Sequence, residues 1–115
     1  MFYTLEGQNV LPCDSKKFEF DLKNSTSREL ARTHISGKKT LVVTLFTGLN
    51  HSLIEGDDPL FFETVVSGGN FDAQAFRSST YKEAQQLHDI IVDRIKNHKP
   101  AWYSNNHTTQ SIKGE

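Results

Sequence analysis

A single cysteine, Cys13, leaves this 115-residue chain without an internal disulfide and fits a reducing compartment. No apolar run approaches the roughly 20 residues that span a bilayer as a helix, so no membrane partner is expected. The opening residues, MFYTLEGQ, hold neither a basic stretch nor a long apolar one, and no secretory leader is expected. Without secretion the sequons at Asn24, Asn50 and Asn106 carry no meaning. Neither sign of charge dominates: thirteen basic against fourteen acidic side chains leave −1. Proteins that hold DNA or RNA through the phosphate backbone show a basic excess, so neither partner is expected. Also missing are His-Glu-x-x-His, a Walker loop, a dinucleotide fingerprint, Gly-x-Ser-x-Gly and Cys-x-x-Cys. No cofactor, no metal ligand set and no catalytic residue is assigned.

What is present centres on residues 59–97, which read as strand, Gly-Gly turn, strand and helix. Thr80 followed by Glu83 is a capping box, each side chain meeting an orphan backbone donor. Ala84, Leu87, Ile91 and Ile95 then recur at helical spacing, and Pro100 forbids continuation. Leu60 to Val66 and Ala73 to Ser78 predict two antiparallel strands about the Gly68-Gly69-Asn70 turn. Upstream, Arg28 to Ile35 and Lys39 to Thr47 predict another pair around Ser36-Gly37-Lys38. The second of these, apolar on both faces, is expected to lie centrally. Phe2 to Leu5 predicts an edge strand, Asn9 to Asp14 a connection with Asp14 able to cap the next segment, and Gly48 to Pro59 a loop. In Ser15 to Asn24, Phe18, Phe20 and Leu22 alternate as in a strand, while Phe18 and Leu22 alone fit a helix. The expected fold is α+β: one domain over residues 1–99, an antiparallel sheet of about four strands packed by one long C-terminal helix. Residues 100–115 read as a polar tail in which Trp102 and Tyr103 are the large side chains.

Four short motifs keep a fixed order: Pro12-Cys13-Asp14; Gly48-Leu49-Asn50-His51; Pro59-Leu60-Phe61-Phe62-Glu63-Thr64; and Arg77-Ser78-Ser79-Thr80-Tyr81-Lys82-Glu83-Ala84 with His88. In order and spacing the chain resembles a widespread family of small phage-encoded proteins, over residues 1–95. Asn50 stands where that family commonly has aspartate, Ser78 where it has tyrosine, and Phe18 and Phe20 where tryptophans occur. The resemblance implies a short N-terminal helix over Ser15 to Leu22. Some family members look like nucleotide sponges of the anti-CBASS kind, which sequester the cyclic oligonucleotide signals of bacterial antiphage defence. What this implies is an immune-evasion protein in the cytoplasm of the infected bacterium. It would bind a cyclic oligonucleotide without cleaving it, as a homo-oligomer, dimer or tetramer.

Such a ligand needs donors and positive charge for phosphate, and aromatic faces and hydrogen bonds for bases. The start of the long helix offers free N–H groups, with Ser79 and Thr80 hydroxyls and the Arg77 guanidinium beside it. The plainer reading is a capped helix with Arg77 paired to a surface carboxylate. His51 sits in a loop after a central strand, able to meet phosphate or base or simply solvent. Glu63 shares a strand face with Phe61 and Val65, calling for a partner: Arg77, His51 or a base amino group. Tyr81 and Trp102 are stacking candidates or packing residues, and His88, within the apolar stripe, reads as a core histidine. Two other classes stay open. One is an accessory protein that binds and inhibits a host protein; the other is a small hydrolase using His51, Glu63 and His88.

Overall fold

The structure, a computed structural model, describes residues 1–24 and 28–97. In chain order these residues form β1 (Phe2–Glu6), β2 (Asn9–Cys13), α1 (Ser15–Lys23), β3 (Glu29–Ile35), β4 (Thr40–Phe46), β5 (Phe62–Ser67), β6 (Ala75–Ser78) and α2 (Tyr81–Lys96). β3 to β6 make a four-stranded antiparallel sheet in sequence order, and β1 and β2 a separate two-stranded ribbon. The fold is the α+β arrangement expected, with β4 inside the sheet.

Alternation along the strands separates the two faces of the sheet. Thr40, Val42, Thr44 and Phe46 of β4, Phe62, Thr64 and Val66 of β5, and Phe76 and Ser78 of β6 are buried. α2 lies on this face and buries Ala84, His88, Ile91, Val92 and Ile95. Two apolar clusters result. One joins Ile35, Val42, Val66 and Phe76 to the C-terminal half of α2, and the other gathers Phe46, Phe61, Phe62 and Ala84. Leu41, Val43, Leu45, Val65 and Ala75, on the opposite face, are only half-buried.

The helix ends follow the sequence. Thr80 Oγ1 accepts from Glu83 N at 3.1 Å while Glu83 Oε1 accepts from Thr80 N at 3.3 Å, completing the capping box. Asp14 caps α1 by accepting from Lys17 N at 2.9 Å. α1 buries no residue completely, which leaves its periodicity ambiguous; Phe18 stacks on Phe2 with centroids 4.5 Å apart.

Asn9–Cys13 is a strand, not the expected connection. It pairs with β1 through the Gly7-Gln8 reversal, with Pro12 opposite Tyr3. Proline lacks a ladder donor but is tolerated in a strand with a free edge, and this ribbon has one on each side. The Gly68-Gly69-Asn70 turn becomes a single 3-10 turn over Gly69–Phe71. Gly68 has φ +83°, and a Cβ there would stand 2.4 Å from the Lys39 carbonyl oxygen. Gly37 has a similar φ, +81°, but open space around it. Gly37→Ala meets the penalty for a side chain at positive φ, about 1–2 kcal/mol. Gly68, at φ +83° and ψ 165°, lies in a region open essentially to glycine alone, and Gly68→Ala adds a backbone collision. Its urea midpoint should fall well below that of Gly37→Ala, and equal midpoints would mean that the β4–β5 end yields freely.

Candidate functional site

Three distant segments meet at one open cleft of about 680 Å³: the loop between β4 and β5, the end of β6, and the first turns of α2. The loop contributes Asp57, Asp58 and Leu60, the strand end Arg77, Ser78 and Ser79, and the helix Glu83, Leu87 and Ile90. This volume falls within the roughly 300–1,000 Å³ of small-molecule sites. The loop is held at its base by Asn50, whose Oδ1 accepts from Ser52 N and Leu60 N, both at 2.9 Å. His51 N donates to the Leu60 carbonyl at 2.9 Å, closing the same neck. Asn50 performs this bridging with its side-chain carbonyl oxygen.

Of the residues singled out in the sequence, Arg77 and Ser79 line the cleft and Thr80 comes directly after them. Arg77 faces away from α2 and pairs with Glu63, its cross-strand neighbour, at 3.3 Å. Only one of its nitrogens is engaged in that contact, so much of the five-donor fork stays free to meet a ligand. Glu63 is thereby accounted for as Arg77's partner, the structural alternative raised by its sequence. The N–H groups of Ser79 and Thr80 are both taken by Glu83 Oε1 at 3.3 Å. A phosphate at this helix start would have to use later N–H groups, the hydroxyls and Arg77.

Tyr81 is half-buried with its ring edge-on to Phe62, centroids 6.2 Å apart, and belongs to the core cluster there. His51 is half-buried outside the cleft lining, and its Nε2 meets no hydrogen-bond partner among the described residues. Trp102 lies outside the described residues. His88 is a core residue, 3% exposed. Its Nδ1 lies 2.8 Å from Thr44 Oγ1 and its Nε2 2.9 Å from Thr33 Oγ1, while Thr44 meets Thr64 at 2.6 Å. Burial lowers the His88 pKa, with Asp89 opposing.

An acid–base site from Glu63 and His88 is not assembled. Thr64 joins the His88 network on the α2 face, so Glu63, its neighbour in β5, points to the other face. Among the described residues no three His, Cys, Asp or Glu side chains gather as metal ligands.

Two features of the cleft escaped sequence reasoning. Asp57 and Asp58 form part of its wall, where the sequence predicts only a loop from Gly48 to Pro59. Ser78, 8% exposed, lines the cleft with an Oγ that finds no partner among the described residues. A strand-end serine gives no sequence signal of that kind. The lining holds three acidic residues, Asp57, Asp58 and Glu83, against one basic residue, Arg77, so it is not uniformly an anion site. No protein-family model, no curated protein and no solved structure matches the chain.

Proposed function

We propose that this protein binds and sequesters a cyclic oligonucleotide without cleaving it, acting as a phage immune-evasion factor in the host cytoplasm. The observation that carries the reading is the convergence at one cleft of segments that include or adjoin three of the four ordered motifs. Arg77 and the Ser79 and Thr80 hydroxyls supply the phosphate donors, and Leu60, Leu87 and Ile90 supply apolar surface for a base. With Glu63 committed to Arg77 and His88 to threonines, neither is poised to move a proton on a ligand in the cleft.

The test is a thermal-shift screen against cyclic dinucleotides, with recovery of the bound nucleotide after denaturation. Intact ligand is expected; a linear or hydrolysed product would make the protein an enzyme. Arg77→Ala should weaken binding about tenfold or more, because a charged hydrogen bond contributes about 1.5–3 kcal/mol. Thr80→Asp should fold normally, aspartate being a good cap, and should lose binding by repelling phosphate. A stable Thr80→Asp protein that binds like wild type would remove the phosphate from this helix start.

The reading includes a homo-oligomer, since a shared pocket offers two sets of donors to a ligand with two phosphates. The half-buried aliphatic face of Leu41, Val43, Leu45 and Val65 supports it. Light scattering that reports only monomer with ligand present would count against this part.

One observation favours a second reading, docking on a host protein. Leu53 and Ile54, in the loop that walls the cleft, are 96% and 64% exposed. Leu53→Asp with Ile54→Asp should then abolish capture of a host protein and spare nucleotide binding. The nucleotide reading expects no such partner.

A further inference from the structure

The acidic wall of the cleft is out of place for a ligand read only through its phosphates. Asp57 and Asp58 are exposed side chains on the loop and make no hydrogen bond or ion pair among the described residues. Glu83, by contrast, is occupied by the Ser79 and Thr80 N–H groups. Two free carboxylates therefore stand in a cleft whose lining has one basic residue, Arg77. A phosphate placed beside them would be repelled; a group presenting N–H donors would be attracted.

A second observation marks the same place as a binding surface. Ser78 Oγ is buried in the lining with no partner among the described residues, although buried hydroxyls are nearly always satisfied. It can donate one hydrogen bond and accept others. The cleft thus brings together an acceptor pair on the loop, the strand-end residues Arg77 and Ser78, and apolar surface from Leu87 and Ile90.

Purine chemistry distinguishes which base satisfies that set. The Watson–Crick edge of guanine presents two adjacent donors, N1–H and the 2-amino group, which match the two oxygens of one carboxylate. The same edge of adenine presents one donor, the 6-amino group, beside the N1 lone pair, which faces the second carboxylate oxygen unfavourably.

We infer that the Asp57–Asp58 wall reads a guanine-type donor edge, while Arg77 takes the adjoining phosphate and Ser78 completes the base contact. This rests on the proposal that the cleft binds a cyclic oligonucleotide, and it narrows that class to ligands carrying guanine.

The experiment is calorimetric titration of the purified full chain with cyclic di-GMP and, separately, cyclic di-AMP. Wild type should bind the guanine ligand about tenfold or more tightly than the adenine one, as one well-made bidentate contact discriminates. Asp57→Asn with Asp58→Asn should remove that preference by weakening the guanine ligand and not the adenine one. Ser78→Ala should weaken the guanine ligand severalfold while the ligand-free protein melts no lower than wild type, since the lost hydroxyl had no partner. Equal binding of both ligands overturns the inference and leaves the nucleotide proposal standing. So does a double variant that binds both more tightly, because the carboxylates would then only repel phosphate. Binding of neither ligand overturns the inference, and if the wider panel of cyclic oligonucleotides also fails, the proposal beneath it.

Discussion

As pH falls below about 6.5 the wild-type protein should lose stability through His88, at no more than ~1.4 kcal/mol per pH unit and only as far as its lowered folded-state pKa. The ring sits between α2 and the sheet, 3% exposed, with both nitrogens at threonine hydroxyls. Hydroxyls donate or accept as required, so hydrogen bonding does not forbid the imidazolium. Burial does: desolvation disfavours the charged ring and lowers its pKa, with nearby Asp89 opposing. In the unfolded chain the ring takes a proton near pH 6.5, whereas in the folded protein it resists until lower pH. The unfolded state therefore binds more protons through this window. Stability is complete above about 6.5 and declines as pH falls toward the lowered folded value, where the loss levels off.

His88→Leu removes the titrating ring and should flatten the stability profile between about pH 6.5 and the folded-state pKa. At neutral pH the same variant should lose about 1–3 kcal/mol, because Thr33 forfeits its bond while Thr44 keeps Thr64. Urea unfolding at a series of pH values measures both effects. Parallel profiles for the two proteins would show that His88 is not the acid-sensitive group.

How legible this was depends on whether each feature is local. The His88 core role derives from its place between Ala84 and Ile91 in a helical stripe, and the capping box from two residues three apart. The strands of the main sheet show in their alternation, with boundaries shifted by a residue or two. β2 was hidden because Pro12 is turn chemistry almost everywhere except on an unpaired strand edge. α1 is ambiguous in its periodicity because it leans on β1 with Phe18 and buries nothing completely; the helix over Ser15 to Leu22 is expected from the resemblance alone.

The cleft was half legible. Arg77 and Ser79 could be named, since they flank a recognisable helix start. The approach of Asp57 and Asp58 to that helix start depends on the Asn50 bridges that close the loop's neck and on sheet register, neither of which is a local property. Likewise Tyr81 reads as either a stacking face or a packing residue, and its edge-on contact with Phe62 supplies the packing, which depends on tertiary structure.

Phe62→Ala should give the largest loss of stability of any single substitution considered, about 3–5 kcal/mol. Phe62 is fully buried, with centroids 5.4 Å from Phe46 and 6.2 Å from Tyr81. It also pairs in register with Phe46 on one side and Ser78 on the other. The ring thus fills the corner where the first turn of α2 meets the strand end that lines the cleft. Truncation removes its transfer energy and opens a cavity between two strands whose hydrogen-bond ladder limits collapse. Against a typical total of about 5–15 kcal/mol, this is a large share of the fold's stability. Phe62→Leu fills most of the space and should lose only about 1–1.5 kcal/mol. The pair of variants separates packing from mere hydrophobicity when urea midpoints are compared at neutral pH. If Phe62→Ala loses no more than Phe62→Leu, the corner is loosely packed and Tyr81 is free to leave it. A nearly full loss for alanine alone means that the start of α2, and with it Arg77 and Ser79, is held in place by this ring.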